Sequence, residues 1–282
     1  MLDSRLIRRR FERAAASFDD VAFVHAVTRK GLLARLQPLV VEASTVVDLG
    51  SATCSTSQAL SKRFGRAHVV SVDLAHAMLR RGRKHRAWFS KSSYVQATAA
   101  ALPFNDQSID VVFANLLLPW IDDQTQVFAE IARVLRKGGI FAFATLGPDS
   151  LLEIRRAWSQ VDDNAHVNHF SDMHDLGDGL VNAGLADPVL DVDRLSVSYD
   201  NTEKLFADLT AMGGRNALRE RNQSLVGKQR FRHMSDELQK SGTGGKITLD
   251  LELVFGHCWG AGPRMDATDY RIDATRIPRR KT

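Results

Sequence analysis

The sequence predicts an α/β protein: a doubly wound sheet carrying a helical cap. Three observations lead there. Short hydrophobic strands alternate with helical patterns over residues 45–146, in the order β-α-β-α-β-β-α-β. That order builds a parallel sheet with helices on both faces. Residues 109–115 (Ile109, Asp110, Val111, Val112, Phe113, Ala114, Asn115) are mostly apolar without alternation, as a strand covered on both faces requires. Finally, Gly50, Asp73, Thr98 and Asn115 all fall at the carboxyl ends of expected strands. Ligands bind outside that rim in open α/β sheets.

The first 40 residues supply the start of the cap. Leu6, Ile7, Phe11, Ala14 and Ala15 form one apolar stripe, and Val21, Val24, Val27, Leu32, Leu33 and Leu36 form another, before Pro38 stops the helix. Residues 41–200 are expected to form the core. Val46, Val47, Asp48 and Leu49 make a strand that runs into Gly50, Ser51, Ala52, Thr53 and Cys54, and then into a helix start at Ser55. A helix N-terminus presents unpaired N–H groups, and small residues let a ligand approach the backbone. Glycine is expected at the positions held by Ala52 and Cys54. The second strand, residues 68–73, ends in Asp73, about 25 residues after Asp48. In dinucleotide folds the acid that binds ribose lies roughly 20 residues past the glycine-rich loop.

A helix over 75–85 follows, ending in Arg80, Arg81, Arg83, Lys84, His85 and Arg86, which reads first as a solvated helix end. Strands are expected at 93–96, 109–115 and 140–146, with a helix at 123–135. Beyond residue 150 the pattern changes. Helices are expected at 149–160, with Asp149 as cap, and at 171–183; a strand is expected at 189–197. Residues 201–245 read as a helical insertion, 246–260 as a last, alternating strand, and 261–282 as a flexible tail.

At 282 residues the chain fits one elaborated domain, or one domain with a cap, and its 44% apolar content fills a sizeable core. No run of eighteen apolar residues occurs, and Met1 to Arg13 lacks the apolar centre of a secretory signal. The expectation is a cytoplasmic monomer without membrane attachment. Cys54 and Cys258 have no partner spacing, so neither a disulfide framework nor a metal site is expected. The net charge of +5 permits an acidic partner without requiring one.

Together these residues resemble a class I S-adenosylmethionine-dependent methyltransferase, a Rossmann-like fold. Within that class the chain is similar to the carboxyl methyltransferases that act on malonyl-acyl-carrier protein in biotin synthesis. The resemblance spans nearly the whole chain. It rests on Arg10 to Ala15 with Phe18 and Asp19, the Asp48 loop, Ala101-Leu102-Pro103-Phe104, Asp110 to Leu116 and Leu118-Pro119-Trp120. It continues through Thr145 to Leu151, Phe170 to Asp178 and Val254 to Trp259. The Leu146-Gly147-Pro148-Asp149 and Asp172-Met173-His174-Asp175 segments are its more specific parts.

The resemblance implies a seven-stranded sheet with an antiparallel last strand. It implies S-adenosylmethionine as cofactor, with Asp48, Gly50, Ser51 and Ala52 at its methionine part, Asp73 on the ribose and Leu74 beside the adenine. Thr98 and Ala99 would meet the adenine edge, and Asn115 the methionine end. It also implies a malonyl-loaded acyl-carrier protein as partner, docked on a basic face from Arg8, Arg9 and Arg10 or from residues 80–86. The chain departs from the family where glycines give way to Ala52 and Cys54, an acid to Thr98, and a tyrosine to Phe18. A left-handed backbone at either lost glycine would cost about 1–2 kcal/mol.

A malonyl carboxylate is ionised at neutral pH and needs no general base, only alignment and a positive or hydrogen-bonding partner. The candidates are His174, Arg155, Arg194 and Arg215, each of which taken singly reads more readily as a surface ion pair, with Trp120 as a pocket wall or, equally, as buried aromatic packing. Two alternatives stay open: a methyltransferase for another small molecule, and a drifted non-catalytic or assembly paralogue with weak cofactor binding. Nucleic acid is not the expected substrate, because Asn115-Leu116-Leu117-Leu118 lacks the Asn-Pro-Pro-aromatic run of base methylation.

Overall fold

The computed structural model describes residues 1–84, 91–221, 227–240, 242 and 244–262. The proposed tail (from 263), His85 and Arg86 of the basic run, and Ser241 and Thr243 of the expected turn lie outside the described residues. The N-terminal segment folds as α1 (Ser4–Ala14), a short α2 (Phe18–Val21) and α3 (Phe23–Leu36). The two apolar stripes are therefore separate helices with a tight break between them. Asp3 caps α1 by accepting the Leu6 N–H at 3.0 Å.

The sheet strands are β1 (Thr45–Leu49), β2 (His68–Asp73), β3 (Ser92–Gln96), β4 (Ile109–Asn115), β5 (Leu135–Leu146), β6 (Leu185–Tyr199) and β7 (Ile247–Gly260). They form one seven-stranded sheet in the order β3-β2-β1-β4-β5-β7-β6. The first five are parallel, and β7 runs antiparallel to both β5 and β6. The strand order reverses between β1 and β4, which opens a crevice at their carboxyl ends.

Helix α4 (Ser55–Arg63) follows β1, α5 (His76–Lys84) follows β2, and α6 (Gln124–Val134) leads into β5. On one face of the sheet, Phe128 and Ile131 of α6 and Leu176 and Leu180 of α8 (Met173–Asn182) pack against Val112, Phe141 and Phe143. On the other, Leu32 and Leu36 of α3 and Leu60 of α4 pack against Val46, Phe113 and Phe255. Full burial of each large side chain contributes about 2–3 kcal/mol. A further cluster holds the cap: α7 (Leu152–Ser159), α9 (Thr202–Ala211) and α10 (Lys228–Lys240) bury Ile154, Trp158, Leu205, Met234 and Leu238 against Ile247 and Leu249 of β7.

The expected helix at 149–160 begins later. Leu151 takes a left-handed conformation (φ 60°) and α7 starts at Leu152. Asp149 is not its cap. Its N–H donates to Glu252 on β7, and its carboxylate accepts from Arg194 at 2.9 Å. Gly147 leaves room for the Glu252 side chain, whose carboxylate would lie 2.4 Å from an added Cβ. The Leu146–Asp149 segment thus binds the start of the cap to the last strand.

Candidate functional site

The turn between β1 and α4 is tied to β2 by two bonds, from the Gly50 and Ser51 N–H groups to the Val72 carbonyl at 2.8 and 3.0 Å. Gly50 has φ +73°, and a Cβ there would press on the Leu117 side chain at 3.0 Å. The two expected glycine positions are indeed left-handed: Ala52 has φ 44° and Cys54 φ 64°. Each carries strain of about 1–2 kcal/mol that glycine would not. Neighbours hold both residues in place. The Ala52 N–H donates to Asp73 Oδ2 at 2.8 Å. The Cys54 side chain fills the space left by Gly82 on α5, where an added Cβ would come within 2.4 Å of Sγ.

Asp48 sits under this turn and off the crevice wall. It is buried and accepts from Ser57 Oγ at 2.5 Å, and Ser57 in turn meets Ser71 Oγ at 2.7 Å. Burial pushes its carboxyl up to about 7, with the nearby Asp73 charge adding to the rise. Asp48 therefore braces the loop from below. Asp73 does face the crevice. It accepts from Ala52 and Ala75 N–H groups, and burial raises it to about 6.

Gly50, Ala52, Asp73, Leu74, Thr98, Ala99 and Asn115 line one cavity of about 100 Å³ in the crevice. Ser51, with Asp19, Arg29, Thr56 and Asn115, lines an adjoining polar cavity of about 150 Å³. Thr98 is exposed, and its Oγ1 takes only a long 3.4 Å bond from the Ala100 N–H. Asn115 is 7% exposed; its Nδ2 donates to the His25 carbonyl at 2.9 Å, and its Oδ1 is buried without a partner.

A third cavity, about 300 Å³ and mainly apolar, lies between the cap and the sheet. His25, Leu116 and Trp120 line both it and the crevice cavity. Trp120 is a wall between the two, held edge-on against Phe11 with ring centres 5.2 Å apart.

Of the four residues expected at a substrate carboxylate, the structure places one in the cavity. Arg215 lines the cap cavity, and Arg155 is not among its lining residues. Arg155 donates to the Pro148 and Asn168 carbonyls at 3.0 and 2.9 Å. Arg215 lies over the Phe206 ring, 4.8 Å from its centre. Burial lowers both guanidinium pKa values, and neither has a carboxylate partner among the described residues. Arg194 is exposed and paired with Asp149. His174 is exposed in the first turn of α8, where its N–H is capped by Asp172 at 2.7 Å. The Asp172–Asp175 segment is a helix start, not a pocket.

Three residues escaped the sequence reading of the site. Arg10, expected on an outer docking face, turns inward: its guanidinium donates to the Arg215 and Asn216 carbonyls at 2.7 and 2.6 Å and lines the cap cavity. Burial first, then repulsion from Arg221 and Arg215, lowers it to about 10. His25 and Arg29, four apart on α3, share one face over the crevice. That spacing was visible in the sequence, but the Val24 and Val27 stripe drew the reading toward packing.

Residues 47–143 match the model of a methyltransferase domain. Solved methyltransferases share the fold. An S-adenosylmethionine-dependent methyltransferase of Thermotoga maritima superposes with a TM-score of 0.55 at 19% identity, covering 90% of this chain and 99% of that one. Phosphoethanolamine N-methyltransferase 2 of Haemonchus contortus, solved with S-adenosylmethionine, gives 0.53 at 18% identity over 84% of this chain and 52% of that one. The fold is that of a class I methyltransferase.

The sequence relatives narrow this. Over 286 residues the chain is 37% identical to the malonyl-[acyl-carrier protein] O-methyltransferase of Halorhodospira halophila, covering 99% of this chain and 97% of that one. It is 35% identical to the enzyme of the same name from Gallionella capsiferriformans, covering 98% and 97%. The chain belongs to the malonyl-[acyl-carrier protein] O-methyltransferase family.

Proposed function

We propose that this enzyme moves a methyl group from S-adenosylmethionine to the free carboxyl of malonyl-acyl-carrier protein. The product is the methyl ester that starts pimeloyl and biotin synthesis. The observation that carries the reading is the cap cavity: an apolar chamber that meets the crevice at Leu116 and Trp120 and is lined by Arg10, Arg215 and Arg221, guanidiniums without carboxylate partners among the described residues. Such a chamber suits an anionic acceptor drawn out of water. The names of the relatives agree with it.

The crevice residues fit the cofactor. Asp73 offers a carboxylate to ribose hydroxyls, and Leu74 and Ala99 offer apolar contact to the adenine, with Thr98 at its edge. The buried, unpartnered Asn115 Oδ1 suits an amino-acid ammonium, and Arg29, which makes no hydrogen bond or ion pair with a described residue, suits its carboxylate. S-adenosylmethionine, when bound, supplies an electrophilic methyl on a sulfonium. The chain's own part is alignment and exclusion of water: Trp120 and Leu116 close the seam, and the cap covers the acceptor. No base is needed, because the carboxylate is already ionised.

A basic face on α1 and α5 suits an acidic carrier. The two helices pack together, and Arg8, Arg9, Arg80, Arg83 and Lys84 are exposed.

The test is calorimetric titration with S-adenosylmethionine, together with mass analysis of malonyl-loaded carrier after incubation with enzyme and cofactor. The expected result is saturable binding and the gain of one methyl mass on the malonyl carrier, with none on acetyl carrier. Methylation of both carriers alike, or of neither, refutes the assignment.

A further inference from the structure

His25 borders all three cavities. Its ring makes no hydrogen bond among the described residues, and Nδ1 is enclosed without a partner. Burial, with the positive charge of Arg29 one helical turn on, lowers its pKa to about 4, so the ring is neutral at physiological pH. An enclosed N–H with no acceptor is rarer than an enclosed lone pair. The neutral ring therefore carries its proton on Nε2, and that N–H has no acceptor in the described protein. Two further contacts hold the ring's place: its backbone carbonyl accepts from Asn115 Nδ2 at 2.9 Å, and Phe18 packs on it edge-on with centres 5.0 Å apart.

We propose that His25 is the donor that orients the acceptor's carboxylate at the seam between cap cavity and crevice. The assignment rests on the carboxyl-methyltransferase reading above. Methylation of a carboxylate moves no proton, so the seam has use for a donor that aims the anion and none for a base. A neutral N–H suits that role better than a guanidinium, because a full positive charge on the attacking oxygen would hold back its lone pair. The arginines of the cap cavity then attract the anion, and His25 sets its angle. Substrate specificity follows: the preferred acceptor is an ionised carboxyl at the end of a short chain, and the neutral amide isostere is a poor ligand.

The experiment compares wild type, His25→Phe and His25→Gln, using malonyl carrier for turnover and S-adenosylhomocysteine for titration. Phenylalanine keeps an aromatic ring against Phe18 without a donor; glutamine restores a neutral donor. For His25→Phe, kcat should fall about 100-fold, in the range seen when a single oriented donor is removed. For His25→Gln it should recover to within about fivefold of wild type. Cofactor affinity should fall far less than kcat in both variants, and retained binding also reports that they fold. A His25→Phe enzyme as active as wild type overturns the assignment. So does a glutamine variant as slow as phenylalanine, or a loss of cofactor affinity as large as the loss of turnover. A wild type inert toward malonyl carrier defeats the functional reading and the His25 assignment together; an active wild type with indifferent variants defeats His25 alone.

Discussion

Cys54 and Gly82 should be energetically coupled, because one fills the space that the other leaves empty. In wild type, Gly82→Ala places a Cβ 2.4 Å from the Cys54 Sγ, 2.7 Å from its Cβ and 2.8 Å from the Thr53 carbonyl oxygen. Overpacking of that kind costs about 3 kcal/mol, reduced by about 1 kcal/mol because alanine is the better helix former. Cys54→Gly alone relieves about 1–2 kcal/mol of left-handed strain at φ 64°. It also loses a buried thiol worth about 1 kcal/mol and frees the unfolded chain by about 0.5–1 kcal/mol. The single change therefore lands within about 1 kcal/mol of wild type. In the Cys54→Gly background the first two clashes vanish and only the Thr53 carbonyl remains. Gly82→Ala then costs about 1 kcal/mol or less, which puts the coupling at about 1–2 kcal/mol. Urea unfolding of the four proteins measures this directly, provided m is unchanged across them. A coupling below about 0.5 kcal/mol would refute the reasoning and mean that the loop and α5 adjust independently.

Asp48 and Asp73, raised from 3.8 to about 7 and about 6, hold protons in the folded state that the unfolded chain releases. Their contribution is fully present below about pH 4 and is lost as pH rises through 6 and 7. Asp48→Asn should flatten that fall by about 2 kcal/mol, read as the change in urea midpoint between pH 5 and pH 8. Arg215→Leu should raise KM for malonyl carrier about tenfold or more while leaving cofactor titration unchanged; a matching loss of cofactor affinity would place it at the wrong cavity. Reversing Arg80, Arg83 and Lys84 to glutamate should weaken carrier binding and remove most of its salt dependence, as measured by titration at low and moderate salt. Equal affinity at low salt would move the docking face elsewhere.

The sheet could be read from the chain because its signals are local. Val46 to Gly50, Val69 to Asp73 and Val111 to Asn115 each carry strand, terminus and rim position within a few residues. The Ala52 and Cys54 substitutions were visible too, but their consequence was not, since φ at both positions depends on the turn being anchored to Val72. Sequence resemblance pointed to His174 and Asp149 within their motifs. The fold uses those motifs as a helix cap and a strand clamp, because a short polar side chain next to a helix start or a chain turn finds backbone partners first.

Local periodicity and motif spacing alone determined the α/β class, the crevice and the acid at its edge. The cap cavity was decided only by tertiary packing. Arg10 meets the Arg215 carbonyl across 205 residues, and Asn115 meets the His25 carbonyl across 90. No local pattern encodes those distances. Leu205 of α9 packs with Ile154 and Trp158 against β7, Leu32 and Leu36 of α3 pack on the sheet, and Arg215 and His25 thereby line one chamber.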